Sequence, residues 1–194
     1  MFKMKIGVLA LQGAFREHVK MLEQMGVETA EVRLPADLEG LDGLIIPGGE
    51  STTIAKLAVI YDLMEPLREF AEQKAVWGTC AGMIFMAKDI GMDQPLLGVM
   101  DIVVERNAFG RQVDSFETGL EVAGLAAAEN PFPAVFIRAP RLVDSSADVE
   151  IISRLADGTA VAAKQGHWLV TSFHPELTGD DRLHKMFVEM AAAV

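Results

Sequence analysis

The stretch Ala75-Val76-Trp77-Gly78-Thr79-Cys80-Ala81-Gly82 constrains the fold more than any other, and it holds the only cysteine of the chain. Residues 75–77 are a short apolar run that reads as a buried strand, and the run 83–88, Met-Ile-Phe-Met-Ala-Lys, reads as a helix. Between them Gly78 and Gly82 flank Cys80 at two-residue spacing. This is the strand–turn–helix pattern of a nucleophile elbow, with sulfur in place of hydroxyl. Such a turn is too tight for Cβ atoms on either side and holds the nucleophile in a strained backbone conformation. It projects the side chain from the top of a sheet at a helix N-terminus, where amide N–H groups favour an anion. A lone cysteine without that context is usually a small buried hydrophobe. A nucleophile at Cys80 requires a base, a group to orient the base and an oxyanion hole from the rest of the chain.

The length of 194 residues suits one domain, and 51% hydrophobic with 23% charged residues supplies a sizeable core. One cysteine excludes an intramolecular disulfide, and a reactive thiol suits a reducing cytosol. The segment Met1-Phe2-Lys3-Met4-Lys5 runs straight into a strand-like segment with no apolar leader, and no apolar run is long enough to span a bilayer. A cytoplasmic protein with no membrane association is therefore expected. The formal net charge of -11 argues against nonspecific binding to nucleic acid or anionic membranes. The 11 methionines read as adaptable core filler.

Residues 5–11 form a mostly apolar run without alternation, fitting a central strand covered on both faces. Apolar residues at Phe15, Val19, Leu22 and Met25 follow helical spacing, with Gly26 as the C-terminal cap, and residues 27–34 read as a second strand. No Gly-x-Gly-x-x-Gly follows the first strand, so a dinucleotide site lacks its fingerprint. Residues 43–46 are a third buried strand. It ends in Pro47-Gly48-Gly49-Glu50-Ser51, where Ser51 or Thr52 is placed to cap the next helix. Paired glycines let backbone N–H groups face a ligand, although the same residues also serve a plain strand-ending turn. A phosphate loop is disfavoured, because no Gly-Lys-Ser/Thr ending is present. Residues 61–73 read as a helix, with Pro66 tolerable only near its first turn.

From Leu97 the texture changes. Segments 98–105, 116–122, 134–137, 149–155 and 159–163 read as short strands, with Asp157-Gly158 as a hairpin turn, so a parallel core gains antiparallel or mixed strands. Arg106 and Arg111 lie near a turn and Arg138 at a strand end, positions from which a guanidinium could grip a carboxylate. Residues 169–173 form the last strand. It delivers His174-Pro175-Glu176, a proton-transferring imidazole with a carboxylate two residues on to fix its tautomer. His18, His167 and His184 lack this setting and are expected at the surface. A helix over 181–192 closes the chain.

The ordered set Pro47-Gly48-Gly49, Gly78-Thr79-Cys80-Ala81-Gly82 and His174-Pro175-Glu176 resembles the class I, triad-type glutamine amidotransferases. Longer blocks are similar to the glutaminase subunits of pyridoxal 5′-phosphate synthase. These are residues 7–14, 47–53, 104–112, 136–140, 162–166 and 172–177, which extend over nearly the whole chain. Trp77, the 123–133 linker and His167 depart from the pattern. The resemblance implies an α/β fold, a flavodoxin-like three-layer sandwich with a mainly parallel central sheet and additional mixed or antiparallel strands, in a single domain over residues 1–194. It implies hydrolysis of L-glutamine through a cysteine thioester, with ammonia passed to a separate synthase subunit and no metal or cofactor. Cys80, His174 and Glu176 would be catalytic, and backbone N–H groups of Gly49 and Ala81 would form the oxyanion hole. Gly49, Glu50, Ser51, Arg106, Ile137 and Arg138 would line the glutamine site, the arginine for the α-carboxylate being left open. The loop Gln12-Gly13-Ala14 and the helix after it, with Arg16, are expected to meet the synthase. The rival readings are the glutaminase subunit of another amidotransferase, such as imidazole glycerol phosphate synthase, and a non-enzymatic subunit of the same fold. A redox sensor lacks a resolving cysteine.

Overall fold

The computed structural model describes residues 4–106, 115–125 and 130–194. In chain order its elements are β1 (Lys5–Leu9), α1 (Phe15–Gln24), β2 (Glu28–Val32), β3 (Gly43–Ile46), α2 (Ser51–Ile60), α3 (Met64–Gln73), β4 (Ala75–Thr79), α4 (Ala81–Met86) and β5 (Ala87–Asp89). There follow β6 (Met100–Glu105), β7 (Ser115–Leu120), β8 (Phe132–Ile137), β9 (Arg141–Ser145), β10 (Glu150–Arg154), β11 (Ala160–Gln165), β12 (Trp168–Thr171) and α5 (Arg182–Ala192). Residues 107–112 of the block with Arg111, and residues 126–129 of the linker, lie outside the described residues.

The main sheet runs β2-β1-β3-β4-β12-β11-β9-β6-β5, with β10 paired to β11 and β7-β8 forming a separate two-stranded ribbon. The first five strands are parallel throughout. Their order is the doubly wound, flavodoxin-like one, except that the fifth place is taken by β12 after the long excursion through β5–β11. The excursion joins largely by antiparallel pairing, as the change of texture after Leu97 indicates.

Central strands covered on both faces must be apolar at successive residues, because alternate side chains enter different layers. Leu44 and Ile46 of β3, Val76 of β4 and Val170 of β12 pack into one cluster with α2, α3 and α4. Ile45, Ala75, Trp77 and Leu169 face the other way, into a cluster with α1 and α5. The two clusters are the two interfaces of a three-layer sandwich.

Several local expectations are corrected. The elbow helix ends at Met86, and Ala87 and Lys88 belong to β5. Asp62, with φ 54°, breaks residues 61–63 away from the third helix, which begins at Met64 and keeps Pro66 in its first turn. The cap of α2 is Glu50, whose carboxylate accepts from Thr52 N and Thr53 N, rather than Ser51 or Thr52. Strand β9, with Asp144 and exposed Val143, has no clean alternation and no sequence signal marks it. His18 and His184 are wholly buried. His18 lies three residues after Phe15 and four before Leu22, and His184 three before Phe187. The helical spacing that marks the apolar faces therefore carries both imidazoles inward.

Gly26 closes α1 as expected. Gly26 N donates to Glu23 O at 2.9 Å and Val27 N to Leu22 O at 3.1 Å, the paired bonds of a Schellman ending. Asp157-Gly158 likewise turns β10 into β11, with Gly158 at φ 88°.

The elbow glycines hold β3, β4 and α4 together. A Cβ on Gly78 would lie 2.6 Å from Gly82 O, and one on Gly82 would overlap Ile46 O at the end of β3. A side chain at either place forces backbone apart. Gly82→Ala is therefore expected to cost about 1–3 kcal/mol of stability. Gly179→Ala, where a Cβ meets nothing within 4 Å, serves as the control. Thermal unfolding of both variants checks this, and equal midpoints would contradict the close-packing argument.

Candidate active site

The loops that leave the carboxyl ends of β1, β3, β4 and β12 converge, as parallel sheets direct at the point where strand order reverses. β1 delivers Gln12, β3 delivers Gly48-Gly49-Glu50, β4 delivers Cys80 and β12 delivers His174. Cys80 adopts φ 49° and ψ -104°, the strained conformation expected of an elbow nucleophile. Its N–H donates to Thr171 O of β12 at 2.8 Å, which ties the elbow to the strand that carries the histidine.

Following β12, His174 N donates to Val135 O of β8 at 2.8 Å, and the 3-10 turn Pro175–Leu177 folds Glu176 back under the ring. His174 Nδ1 and Glu176 Oε1 are 2.7 Å apart. Because an ionised carboxylate only accepts, Nδ1 is the donor and Nε2 is left for the thiol. The Cys80 and His174 side chains both stand against Gly48 and both line the same cleft. Burial disfavours the charged imidazole, but the neighbouring Cys80 and Glu176 side chains favour it more strongly, raising the His174 pKa from 6.5 to about 10. Cys80 and His174 each keep 7% exposure, while the Glu176 side chain keeps 0%. Nucleophile and base therefore open to solvent, and the orienting carboxylate is sealed behind them.

Gly48 is the residue that lets them meet. A Cβ there would lie 3.3 Å from Cys80 Cβ and 3.0 Å from His174 Nδ1, and would overlap His174 Cε1. The turn is held from β1. Gln12 Oε1 accepts from Glu50 N at 2.7 Å, and Ala14 N donates to Gly48 O at 3.0 Å. Gly13, at φ 100°, passes so close to Gly48 O that a Cβ would overlap it.

A cleft of about 280 Å³ lies over the thiol, lined by Gln12, Gly49, Glu50, Ser51, Cys80, Ala81, Ile84, Arg106, Ile137, Arg138 and His174. Every expected glutamine-site residue is among them, and Glu176 stands behind His174. Gly13 and Arg16 are not in the lining; both are exposed, with Arg16 at the start of α1. Gln12, expected at a partner surface, also braces the cleft wall. Arg106 Nη2 pairs with Glu50 Oε1 at 3.2 Å, and Gln94 Oε1 accepts from Ser51 Oγ at 3.3 Å. Burial alone would raise the Glu50 pKa, but bonds from the Thr52 and Thr53 hydroxyls and N–H groups dominate and lower it to about 2. Glu50 and Arg106 thus present one negative and one positive group side by side. The Ile137 carbonyl faces Cys80 Sγ at 3.9 Å, and Arg138 follows with φ 43°.

Sequence reasoning missed Gly48 as the spacer between Cys80 and His174, and also Gln94, Ile84 and His18. Gln94 sits in the loop 91–95, where no pattern marks it. His18 could have been found from its place on the apolar face of α1.

Comparison with known proteins agrees with the geometry. The family model for the SNO glutamine amidotransferase family matches residues 8–193. A Dehalococcoides mccartyi protein named pyridoxal 5′-phosphate synthase subunit PdxT is 57% identical over 97% of this chain and 97% of its own length. A PdxT of Herpetosiphon aurantiacus is also 57% identical, over 95% of this chain and 99% of its own. A crystal structure described as a glutamine amidotransferase superposes with a TM-score of 0.91 at 52% identity, covering 96% of this chain and 98% of that one. The chain belongs to the SNO glutamine amidotransferase family.

Proposed function

We propose that this chain is the glutaminase subunit of a pyridoxal 5′-phosphate synthase, a single domain over residues 1–194 acting in the cytoplasm. It hydrolyses L-glutamine to L-glutamate and ammonia and delivers the ammonia to the synthase subunit. The observation that carries this reading is Cys80 and His174 side by side in the cleft lining, with Glu176 hydrogen-bonded to His174 from behind. The printed names of relatives 57% identical over nearly full length support the choice of synthase over another amidotransferase. An intact triad argues against a subunit without enzymatic activity.

The chemistry runs through Cys80, His174, Glu176, two backbone N–H groups and water. The Cys80 thiolate attacks the carboxamide carbon of glutamine, and the oxygen becomes an oxyanion held by backbone N–H groups of Gly49 and Ala81, each worth on the order of 3 kcal/mol. The His174 imidazolium gives its proton to the departing nitrogen, the C–N bond breaks and ammonia leaves a γ-glutamyl thioester. Neutral His174 then takes a proton from water. The hydroxide adds to the thioester carbonyl, and collapse expels the thiolate and releases glutamate. Glu176 holds the imidazole in one tautomer through both halves. A glutamine bound beside Glu50 and Arg106 would set its α-ammonium toward the carboxylate and its α-carboxylate toward the guanidinium. This favours Arg106 over Arg138 for that role. The loop Gln12-Gly13 with Arg16 is the docking face for the synthase, and docking there acts on the oxyanion turn through the Gln12–Glu50 hydrogen bond.

Three outcomes are expected. Cys80→Ala, assayed for glutamate release with the synthase subunit present, should lose activity by at least about a thousandfold, as removal of a covalent nucleophile does. Near-normal turnover would refute the scheme. Substitution of Gln12 and Arg16 together should weaken complex formation and partner-stimulated turnover; unchanged values for both would remove the docking proposal. The third outcome concerns pH. A pKa raised in the fold contributes stability that is complete below pH 6.5 and is lost as pH rises through about 10. Between those values wild type should lose on the order of a few kcal/mol more than His174→Asn in denaturant unfolding. Parallel stability curves would show that the imidazolium is not favoured by its neighbours.

A further inference from the structure

Behind the triad the cleft residues give way to a second, fully buried polar group that the chemistry above does not use. Glu176 has two carboxylate oxygens. Oε1 receives His174 Nδ1, whereas Oε2 forms no hydrogen bond of ordinary geometry among the described residues. The polar group that faces it is His18 Nε2 on α1, 3.4 Å away. The same Nε2 lies 3.3 Å from Thr79 Oγ1, the residue before the nucleophile. The other ring nitrogen, Nδ1, is 2.9 Å from His184 Nε2 on α5. His18, His184 and Thr79 are all at 0% exposure, and the two imidazoles pack against Trp77 at ring distances of 5.8 and 4.9 Å.

Proton accounting gives these rings one arrangement. Between two neutral imidazoles one nitrogen donates and the other accepts. If His18 donated from Nδ1, its Nε2 lone pair would point at a carboxylate oxygen. His184 would then carry its proton on Nδ1, which has no hydrogen-bond partner. That arrangement sets an anion against a lone pair and buries an unpaired N–H, a costly combination. The reverse arrangement has neither fault. His184 donates from Nε2 to His18 Nδ1, His18 donates from Nε2 toward Glu176 Oε2 and Thr79 Oγ1, and the unpaired group is only an acceptor, His184 Nδ1. Both rings must stay neutral for this. Burial lowers the pKa of each, that of His184 to about 3, with Asp181 acting weakly in the opposite direction. Repulsion between a protonated His18 and a protonated His184 or His174 lowers the His18 pKa further.

We infer that His18, with its tautomer set by His184, is a positioning residue for the glutaminase reaction, its Nε2–H holding Glu176 Oε2 so that Oε1 stays aligned on His174. The inference rests on the triad reading above. It extends the relay inward to five side chains, Cys80–His174–Glu176–His18–His184, spanning β4, β12, α1 and α5. The outer two act on the reaction only through Glu176.

The test uses two variants that differ in where they can place an N–H. A glutamine amide reaches the position of an imidazole Nε2, whereas an asparagine amide reaches that of Nδ1. Glutaminase kcat and KM are measured for His18→Gln and His18→Asn with the cognate synthase subunit bound, and cooperative thermal unfolding establishes that each is folded. His18→Asn should lose about 10–100-fold in kcat with KM for glutamine little changed, the scale on which outer partners of a positioned ligand act. His18→Gln should retain most of the wild-type kcat. Equal kcat values for the two variants, whether both high or both low, would overturn the inference. Cys80→Ala run in parallel separates the two levels. If it is inactive while Gln and Asn variants match, only the role of His18 fails; if it retains turnover, the triad reading fails and takes this inference with it.

Discussion

The close approach of backbone to backbone at the elbow governs the rest of the site. Gly78 lies against Gly82, and Gly82 lies against the carbonyl of Ile46 at the end of β3. No side chain larger than hydrogen fits at either contact. Those contacts bring α4 down onto β3 and β4 and leave Cys80 between them in a left-handed conformation that a non-glycine residue adopts at a cost of about 1–3 kcal/mol. Burial of α4 offsets that cost, with five of its six residues at 7% exposure or less and the sixth, Gly82, likewise buried. The strain is thus local and its compensation is spread through the core.

Each further part of the site depends on that placement. The cysteine N–H bonds to Thr171 O, so the strand leading to His174 is in register with the elbow. Gly48 leaves room for the imidazole to stand over the thiol, and Gln12 and Gly13 from β1 hold the Gly48–Glu50 turn from the far side. Charge is distributed on the same plan. The exposed rim carries the Glu50–Arg106 pair, suited to a zwitterion, while the buried side carries one carboxylate backed by neutral imidazoles. No described helix is long and apolar enough to cross a membrane.

Much of this was legible before any coordinates. Unbroken apolar runs, glycines at fixed spacing around a cysteine, and a His-Pro-Glu after a final strand mark a mainly parallel α/β core with a thiol site at a strand-to-helix turn, and the family resemblance adds the flavodoxin-like order of the sheet. The parts that were not legible share a cause. Gly48 matters because of what approaches it from strands distant in sequence. Strand β9 is held by pairing with β6, although its own side chains show no clean alternation. Glu50 takes the capping role expected of Ser51 or Thr52, since its longer side chain reaches back to two N–H groups. His18 and His184 are buried despite their polarity because helical spacing sets them on the apolar faces of α1 and α5. Their partners, 166 residues apart in the chain, exist only in the folded molecule.

The most direct test of the account is acid-quench mass spectrometry of the chain during turnover of glutamine with the synthase subunit bound. The account requires a γ-glutamyl adduct confined to the peptide that contains Cys80, forming and decaying at rates that match glutamate release. Release of glutamate at the full rate without an adduct on Cys80, or with the adduct elsewhere, would contradict it.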